Sequence, residues 1–248
     1  MGGKAGANGR ALVTGGGSGI GLAVARRLAA DGFVPVITGR NEERLAATGM
    51  DYAVMNVTDR AAAFAVAERH GPFAVVVSNA GIAPTAPALK TRPEMWDDVI
   101  ATNLTGTYNI AMATLPAMVA AGAGRFVAIA STSALRAYRY TMAYAASKHG
   151  VLGLVRSLAL ELAPTGVTCN AICPGFADTE IVRGSIRAIM EKTGRSEAEA
   201  IGAFTADNPT GRLIDPQEVA AAVAWLCGPG AASVNGIALP VDGGETIG

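Results

Sequence analysis

Three polar side chains in the middle of the chain have the types and the spacing to move a proton. Tyr144 and Lys148 stand four residues apart in "TMAYAASKHG", which brings two side chains to one face of a helix. A free tyrosine has a pKa of about 10, and a fixed ammonium nearby lowers that value. Ser131 ends a strand-like run and can donate a hydrogen bond to an oxygen on which charge develops. The trio suits acid–base chemistry; the alternative is a surface helix with an edge aromatic and a solvated lysine.

A glycine cluster supplies the second candidate site. The segment "TGGGSGIG", Thr14 to Gly21, follows the first predicted strand directly and opens a helix. Backbone N–H groups and a helix N-terminus in that place can hold a pyrophosphate. Gly15 turns the chain, Gly19 lets the backbone approach the phosphates, and Gly21 lets the helix pack on the sheet. We predict dinucleotide binding here, and a simple turn is the alternative.

The end of the second predicted strand discriminates between dinucleotides. An acidic residue there binds the ribose 2′-OH of NAD, whereas an arginine suits the additional phosphate of NADP. The strand ends "ITGRNEER", with Gly39 at the acidic position and Arg40 next to it. We therefore predict NADP as the preferred cofactor and NAD as the alternative. If NAD is the cofactor, Arg40 stacks on adenine or is a solvent-exposed residue at the start of a helix.

Short apolar runs alternate with longer Ala- and Leu-rich stretches along the chain. The runs begin at residues 11, 33, 52, 73, 125, 167 and 237, and the first six are almost continuously apolar. Such runs are typical of strands buried on both faces of a parallel sheet. Helices are predicted between them over 19–31, 59–69, 94–121, 143–163 and 216–227. The alternation predicts an α/β fold: a doubly wound parallel sheet of the Rossmann type, with seven strands flanked by helices.

The organisation of the chain around this sheet is simple. We expect one domain over residues 10–248, preceded by a Gly-rich flexible leader over residues 1–9. A long helical insertion follows the sixth strand, at about 179–212, and we predict that it forms a substrate lid. Asp215 caps the last helix, and Glu218 three residues later completes a capping box.

Composition excludes several classes of protein. The 20 basic and 20 acidic residues balance, which argues against nucleic-acid or membrane-surface binding by bulk charge. No apolar run reaches the length of a membrane span. Cys169 and Cys173 lie roughly 13 Å apart along a strand, too far for a disulfide. Buried thiols favour a reducing compartment and a cytoplasmic location. Glu161 and Asp178 lack partner spacing, so we expect no metal.

Several further motifs join these segments in a recognisable order. They are "SNAG" at Ser78–Gly81, Asn103 in "NLTG", Ser131 in "IASTS", "YAASK" and "CPGFADT". With "TGGGSGIG", this order and spacing from Ala11 to Gly244 resembles the short-chain dehydrogenase/reductase family. The stretch "ASKHGVLGLVRSLALELAPTGVTCNAICPGF" is similar to β-ketoacyl thioester reductases, polyketide ketoreductases and 3-hydroxyacyl dehydrogenases.

The resemblance implies an NAD(P)-dependent oxidoreductase that interconverts a ketone and a secondary alcohol. It favours a 3-oxoacyl thioester or related β-keto substrate, CoA- or carrier-linked, and a homotetramer. The alternatives are a dehydrogenase of a sugar, steroid or small cyclic alcohol, and a non-catalytic cofactor-binding regulator. The intact set of motif residues argues against the regulator.

The resemblance also implies roles for single residues. Tyr144 is the general acid or base, Lys148 lowers the tyrosine pKa and binds the nicotinamide ribose, and Ser131 bonds the substrate oxygen. Asn103 holds a water in the proton relay. Besides Tyr144 and Lys148, the cofactor-binding residues are Gly15, Gly17, Ser18, Gly19, Ile20, Gly21, Arg40, Asn56, Val57, Asn79, Ala80, Gly81, Pro174, Gly175, Ala177 and Thr179. The chain departs from the family pattern at Asn56, usually aspartate, and at Ser78, the first asparagine of "NNAG".

The loop "LRAYRYTM", residues 135–142, lies between Ser131 and Tyr144 and so borders the substrate. Arg136 and Arg139 are candidates to recognise a carboxylate or phosphate; the alternative places both on the surface or at a subunit contact. Tyr138, Met142 and Phe176 are candidates for an apolar wall, with Ser133 as a further lining residue. Arg183 and Arg187 in the predicted lid have the same two interpretations as the loop arginines.

Overall fold

The computed structural model describes residues 9–247 and contains a seven-stranded sheet in the order β3-β2-β1-β4-β5-β6-β7, with every neighbouring pair parallel. The strands are β1 Arg10–Thr14, β2 Val34–Gly39, β3 Asp51–Val54, β4 Val75–Ser78, β5 Gly124–Ile129, β6 Val167–Pro174 and β7 Ala238–Val241. The strand order reverses between β1 and β4, which places a crevice at their carboxyl ends. The predicted doubly wound sheet is confirmed.

Burial along the strands matches the prediction except at one edge. β1, β4 and β6 are buried almost throughout, as expected of strands covered on both faces. β3 does not follow the prediction, because Asp51 is exposed and Val54 is 52% exposed. β3 is the last strand on its side of the sheet and pairs only with β2.

Helices cover both faces of the sheet. They are α1 Gly19–Ala30, α2 Glu42–Ala46, α3 Arg60–His70, α4 Pro93–Val99, α5 Gly106–Ala121, α6 Met142–Leu162, α7 Glu180–Thr193, α8 Glu197–Thr205 and α9 Pro216–Cys227. α1 and α9 pack their apolar sides with one face of the sheet, and α3, α5 and α6 with the other. The sheet thus lies between two apolar layers, and its carboxyl edge carries the loops.

The helix predicted over 94–121 is not one regular helix. A π-helical segment, Ile100–Thr105, separates α4 from α5. The side chain of Asn103, in the middle of this segment, bonds the backbone of Ile82 in a neighbouring loop. These tertiary hydrogen bonds, which no local pattern reveals, accompany the change of helix type.

The insertion after β6 forms α7 and α8, as predicted. Arg183 joins the two helices, because its guanidinium bonds Asp178 before α7 at 2.5 Å and Glu197 at the start of α8 at 2.6 Å. The capping box of α9, made by Asp215 and Glu218, is confirmed.

Membrane-spanning and metal-binding features are both missing from residues 9–247. No helix in this range is both long and apolar enough to cross a membrane. No cluster of three or more His, Cys, Asp or Glu in the same range could hold a metal ion. The predicted leader, apart from Gly9, lies outside the described residues.

Candidate active site

A cavity of about 470 Å³ opens at the carboxyl edge of the sheet. The glycine loop, the segments after β4, β5 and β6, the start of α6 and the lid line it. The predicted site residues in its lining are Gly15, Ser18, Gly19, Ile20, Asn79, Ala80, Gly81, Ser131, Ser133, Tyr138, Tyr144, Lys148, Pro174, Gly175, Phe176, Ala177 and Thr179. Residues distant in sequence therefore meet at the edge where parallel sheets bind ligands.

The three predicted proton-transfer residues share one wall of this cavity. The Lys148 Nζ lies 5.7 Å from the centroid of the Tyr144 ring, so one turn of α6 presents both groups to the same space. The same Nζ donates to the carbonyl oxygen of Ile129 at 2.7 Å. Ser131 follows β5, and its Oγ accepts from the backbone N of Ser133 at 3.0 Å. This bond fixes the serine oxygen beside Tyr144, with whose hydroxyl Ser131 also interacts.

Burial shifts the pKa values of Tyr144 and Lys148 in opposite directions. It raises the pKa of Tyr144, and a hydrogen bond with Ser131 offsets part of that effect. Burial also lowers the pKa of Lys148 to about 8. Desolvation of the phenol is the largest cause of this shift, and the predicted lowering of the Tyr144 pKa by the lysine charge stays a prediction. The site therefore holds Tyr144 as a neutral phenol, the form that can give up a proton.

Asn103 is buried beside this trio and does not line the cavity. Its Oδ1 accepts from the N of Ile82 at 2.8 Å, and its Nδ2 donates to Ile82 O at 2.9 Å and to Ser147 Oγ at 3.0 Å. The side chain thereby holds α6 to the loop after β4. The water that Asn103 was predicted to hold stays a prediction.

The glycine loop has a conformation that fits the phosphates of a bound dinucleotide. Gly15 has φ 66°, and a Cβ on it would lie 2.9 Å from the Asn79 side chain. A Cβ on Gly21 would lie 2.3 Å from the Gly15 carbonyl oxygen, so α1 starts in close contact with the loop. Asn79 Nδ2 donates to Thr14 O, and Thr14 Oγ1 accepts from Asn79 N, both at 2.9 Å. The loop after β1 is thus fixed to the loop after β4, and its residues fit the phosphates of a dinucleotide.

Five predicted cofactor residues lie outside the lining. Gly17 faces α2, and Gly21 packs against the loop itself. Arg40 is exposed at the end of β2, where the prediction placed it. Asn56 is exposed and accepts from Thr58 N at 3.2 Å, whereas Val57 is buried in the core. The structure therefore does not place Gly17, Gly21, Arg40, Asn56 or Val57 on the cavity wall.

Sequence reasoning missed Arg44, which does line the cavity. Its guanidinium bonds Glu180, the first residue of α7, at 2.6 Å. This ion pair joins α2 to the lid across the rim of the cavity. A second arginine is visible in "RNEER", where Arg44 follows Arg40 by four residues. The prediction of a phosphate-binding residue considered only Arg40.

An aromatic wall closes the substrate side of the cavity. The Phe176 ring meets Tyr138 edge-on at a centroid distance of 6.2 Å, and Phe204 edge-on at 5.1 Å. Phe204 belongs to the lid and was not predicted, since nothing local distinguishes it from a core residue. Met142 was predicted for this wall, but it is 47% exposed and lies outside the lining.

The Arg136 guanidinium is bonded within the chain, and its predicted role in substrate recognition stays a prediction. Its guanidinium donates to the backbone carbonyl of Glu245 at 3.0 Å and pairs with Asp207 at 3.1 Å, so it braces the loop against the lid and the C-terminal segment. Arg183 is engaged within the lid, and Arg139 is exposed. Exposed Arg139 fits the alternative of a surface position, whereas the bonds of Arg136 within the chain belong to neither of the two interpretations.

Comparison with known proteins gives a consistent result. A family model described as enoyl-(acyl carrier protein) reductase matches residues 15–246. A protein of Streptomyces coelicolor, named provisionally as a ketoacyl reductase, is 42% identical over 249 residues, which cover 94% of this chain and 95% of that protein. The 3-oxoacyl-(acyl-carrier-protein) reductase MabA of Mycobacterium bovis is 38% identical over 241 residues, covering 96% and 92%.

A solved structure agrees with these relatives. The crystal structure of a single-substitution variant of the actinorhodin polyketide ketoreductase, with NADPH, superposes with a TM-score of 0.89 at 39% sequence identity. The match covers 99% of both chains. The similarity therefore extends over the sheet, both helical layers and the lid.

Proposed function

We propose that this chain, which belongs to the short-chain dehydrogenase/reductase family, reduces the ketone of a 3-oxoacyl thioester or related β-keto compound to a secondary alcohol. The observation that carries the proposal is the meeting of Ser131, Tyr144 and Lys148 in one cavity beside the glycine loop. The names of the relatives support the substrate class, since they describe ketoacyl and polyketide reductases.

Each of the three polar side chains has its own role in the proposed reduction. The hydroxyl of Tyr144, kept neutral by burial, donates its proton to the substrate carbonyl oxygen. Ser131 donates a hydrogen bond to the same oxygen while the charge on it grows. The bound dinucleotide supplies the hydride to the carbonyl carbon. Lys148, with a pKa of about 8, keeps a positive charge beside the phenol at neutral pH and so favours loss of its proton.

NADPH is the cofactor we propose. The glycine loop, Asn79–Gly81 and Pro174–Thr179 line the part of the cavity that fits a dinucleotide. Two arginines near the end of β2, Arg40 and Arg44, supply positive charge, and no acidic residue stands at Gly39. The superposed ketoreductase structure was solved with NADPH, which supports the same choice.

The cofactor proposal is tested by measuring the affinities of NADPH and NADH in the wild type, Arg40→Ala and Arg44→Ala. Loss of a charge-assisted contact to the 2′-phosphate weakens NADPH by about tenfold and leaves NADH nearly unchanged. Equal weakening of both dinucleotides by each variant would exclude a 2′-phosphate role for either arginine.

The substrate proposal is tested with a panel assayed by cofactor absorbance. An acetoacetyl thioester, the matching but-2-enoyl thioester and a small cyclic ketone separate the candidate reactions. We expect turnover of the acetoacetyl compound and little of the enoyl compound. Turnover of the cyclic ketone alone would reject the thioester proposal and retain the reaction class. NADPH binding with no turnover of any panel member would favour the regulator.

We also propose a homotetramer, with protomers in contact through α4, α5 and α6. Large apolar side chains are exposed on these helices: Trp96, Tyr108, Val119 and Leu160. Apolar side chains of this size favour burial in an interface. Light scattering of the purified protein tests the proposal, which a monomeric mass would overturn.

Residues 10–248 form a single domain in our proposal, with the lid at about 179–212 as part of it and residues 1–9 as a leader. One continuous sheet, flanked by both apolar layers, supports this view. We further propose a cytoplasmic location. It is supported by the free thiols of Cys169, Cys173 and Cys227, which a reducing compartment preserves.

A further inference from the structure

We propose that Glu245 is a positioning residue for the substrate: it accepts the hydrogen bond of the Tyr138 hydroxyl and so holds the Tyr138 ring as an apolar wall for the substrate group beyond the ketone. Tyr138 lies in the cavity lining, and Glu245 lies behind it, outside the lining. This inference rests on the proposed reduction of β-keto compounds.

The environment of Glu245 is unusual for a carboxyl group. The residue is 3% exposed, and one oxygen, Oε2, is buried with no hydrogen-bond partner among the described residues. Its other oxygen, Oε1, accepts from Tyr138. A Cβ on Gly175 would lie 2.9 Å from Oε2, so the carboxyl group occupies the space that a side chain there would need. Burying a carboxyl group with so few bonds costs stability, which points to a role in the site.

The segment around Glu245 is built to present this side chain inward. Asp242 Oδ1 accepts from Gly244 N at 2.9 Å, and Oδ2 accepts from Thr246 N at 3.0 Å and Thr246 Oγ1 at 2.6 Å. This closed turn fixes residues 242–246. The Arg136 guanidinium bonds the Glu245 carbonyl oxygen rather than its carboxylate, so the carboxylate is left to Tyr138.

The bond to Glu245 determines which part of Tyr138 meets the substrate. With its hydroxyl directed to the carboxylate behind it, Tyr138 offers the cavity its ring, which packs edge-on against Phe176. Phe176 in turn contacts Phe204 of the lid. Three rings from three segments thus form one wall, and such a wall suits a ring or an extended apolar chain.

Two thioesters and two substitutions at one position test this role. The substrates are acetoacetyl thioester, which has only a methyl group beyond its ketone, and 3-oxo-3-phenylpropanoyl thioester, which has a ring. Glu245→Leu removes the acceptor, and Glu245→Gln keeps an acceptor oxygen. We expect Glu245→Leu to raise KM for the phenyl compound about five- to tenfold, the effect of one lost hydrogen bond, with kcat changed less than about twofold. KM for acetoacetyl thioester and the affinity for NADPH stay near wild type.

The matched control is Glu245→Gln, in which KM for the phenyl compound stays within about twofold of wild type, because the bond is retained. A double-mutant cycle with Tyr138→Phe isolates the pair. Tyr138→Phe alone raises KM for the phenyl compound, and adding Glu245→Leu raises it no further.

Several outcomes overturn the inference. A further rise in the double variant shows that Glu245 does not act through Tyr138. Equal changes for both substrates, or equal effects of Leu and Gln, show a general structural role. If Glu245→Leu fails to fold, Tyr138→Phe and Glu245→Gln still test the inference. Tyr138→Phe should raise KM for the phenyl compound, and Glu245→Gln should not. If the wild-type protein reduces neither thioester, the proposed function is refuted. This result differs from the others, which compare variants of a protein that does reduce them.

Discussion

Ketone reduction, as we propose it, requires Tyr144 in its protonated form. Burial raises the pKa of Tyr144, so the hydroxyl stays protonated and is ready to act as an acid. The same burial lowers the pKa of Lys148 to about 8. An acid that is fully protonated at neutral pH suits ketone reduction, whereas alcohol oxidation first requires the phenolate.

Tyr144→Phe should abolish most of the reduction and leave cofactor binding intact. The substitution removes the proton donor and keeps the ring, so kcat should fall by about 10²- to 10⁴-fold. Affinity for NADPH, followed by fluorescence titration, should stay within about threefold of wild type, an order-of-magnitude allowance for one lost hydroxyl contact. Unchanged turnover of accepted ketones in this variant would show that another group donates the proton.

The pH dependence of reduction should report Lys148. The ammonium is charged below about pH 8 and loses its proton as the pH rises through that value. Since the charge assists proton donation by Tyr144, kcat should be level below this value and should fall above it. Lys148→Met should be slow throughout and lack this descending limb. A wild-type profile that stays level through the alkaline range would contradict the assignment.

Within the elements, close contacts explain why certain positions are glycine. Gly106 begins α5 directly after the π-helical segment, and a Cβ on it would lie 2.6 Å from Val57 Cγ2. Gly202, inside α8, would place a Cβ in open space. The same residue type therefore serves close packing at one position and has no such role at the other.

Replacing each of these glycines by alanine gives a matched pair. Gly106→Ala should lower the free energy of unfolding by about 1–3 kcal/mol, because the branched Val57 side chain must move. Gly202→Ala should raise it by up to about 1 kcal/mol through better helix propensity. Chemical denaturation measures both. Equal stability of the two variants would show that the contact between Gly106 and Val57 relaxes without cost.

Elements were predictable where the local pattern was strong. All seven strands lie at runs identified in the sequence, six of them almost continuously apolar, and the start of α9 follows from Asp215 and Glu218. The exposure of β3 was not predictable, since its apolar run does not reveal that it lies at the edge of the sheet. The π-helical segment depends on Asn103 bonding a loop about twenty residues away, and short-range periodicity carries no information about such contacts.

At the scale of the whole molecule, the lid is held by a few exposed ion pairs. Arg183 bonds Asp178 and Glu197, and Arg44 bonds Glu180. Most residues of α7 and α8 are exposed, so these ion pairs act on a segment with little apolar packing of its own. Such elements open locally at low free-energy cost.

Arg183→Ala should loosen the lid without unfolding the protein. We expect faster hydrogen exchange and faster proteolysis within residues 180–205, with a small change in Tm, because exposed ion pairs contribute roughly 1 kcal/mol or less each. Arg187→Ala is the control: it lies on the same helix, exposed, with no ion pair among the described residues. Identical exchange in the two variants would show that Arg183 does not restrain the lid.

The site was predictable to the extent that its residues belong to motifs. Ser131, Tyr144, Lys148 and the glycine loop lie where the sequence placed them. Phe204 and Glu245 belong to none of these motifs, and only the folded chain brings them to Phe176 and Tyr138. The roles of such residues are created by tertiary contacts.

The π-helical segment has a consequence for how this chain is aligned with others. An additional residue in one turn advances the rotational phase of all later side chains by about 100°. A protein with an uninterrupted α-helix here would match α4 and α5 only if its alignment carried a one-residue gap inside Ile100–Thr105. An alignment that places this gap in a flanking loop can still pair every residue of α5 in register. It nevertheless pairs Asn103 with the wrong residue of the other protein.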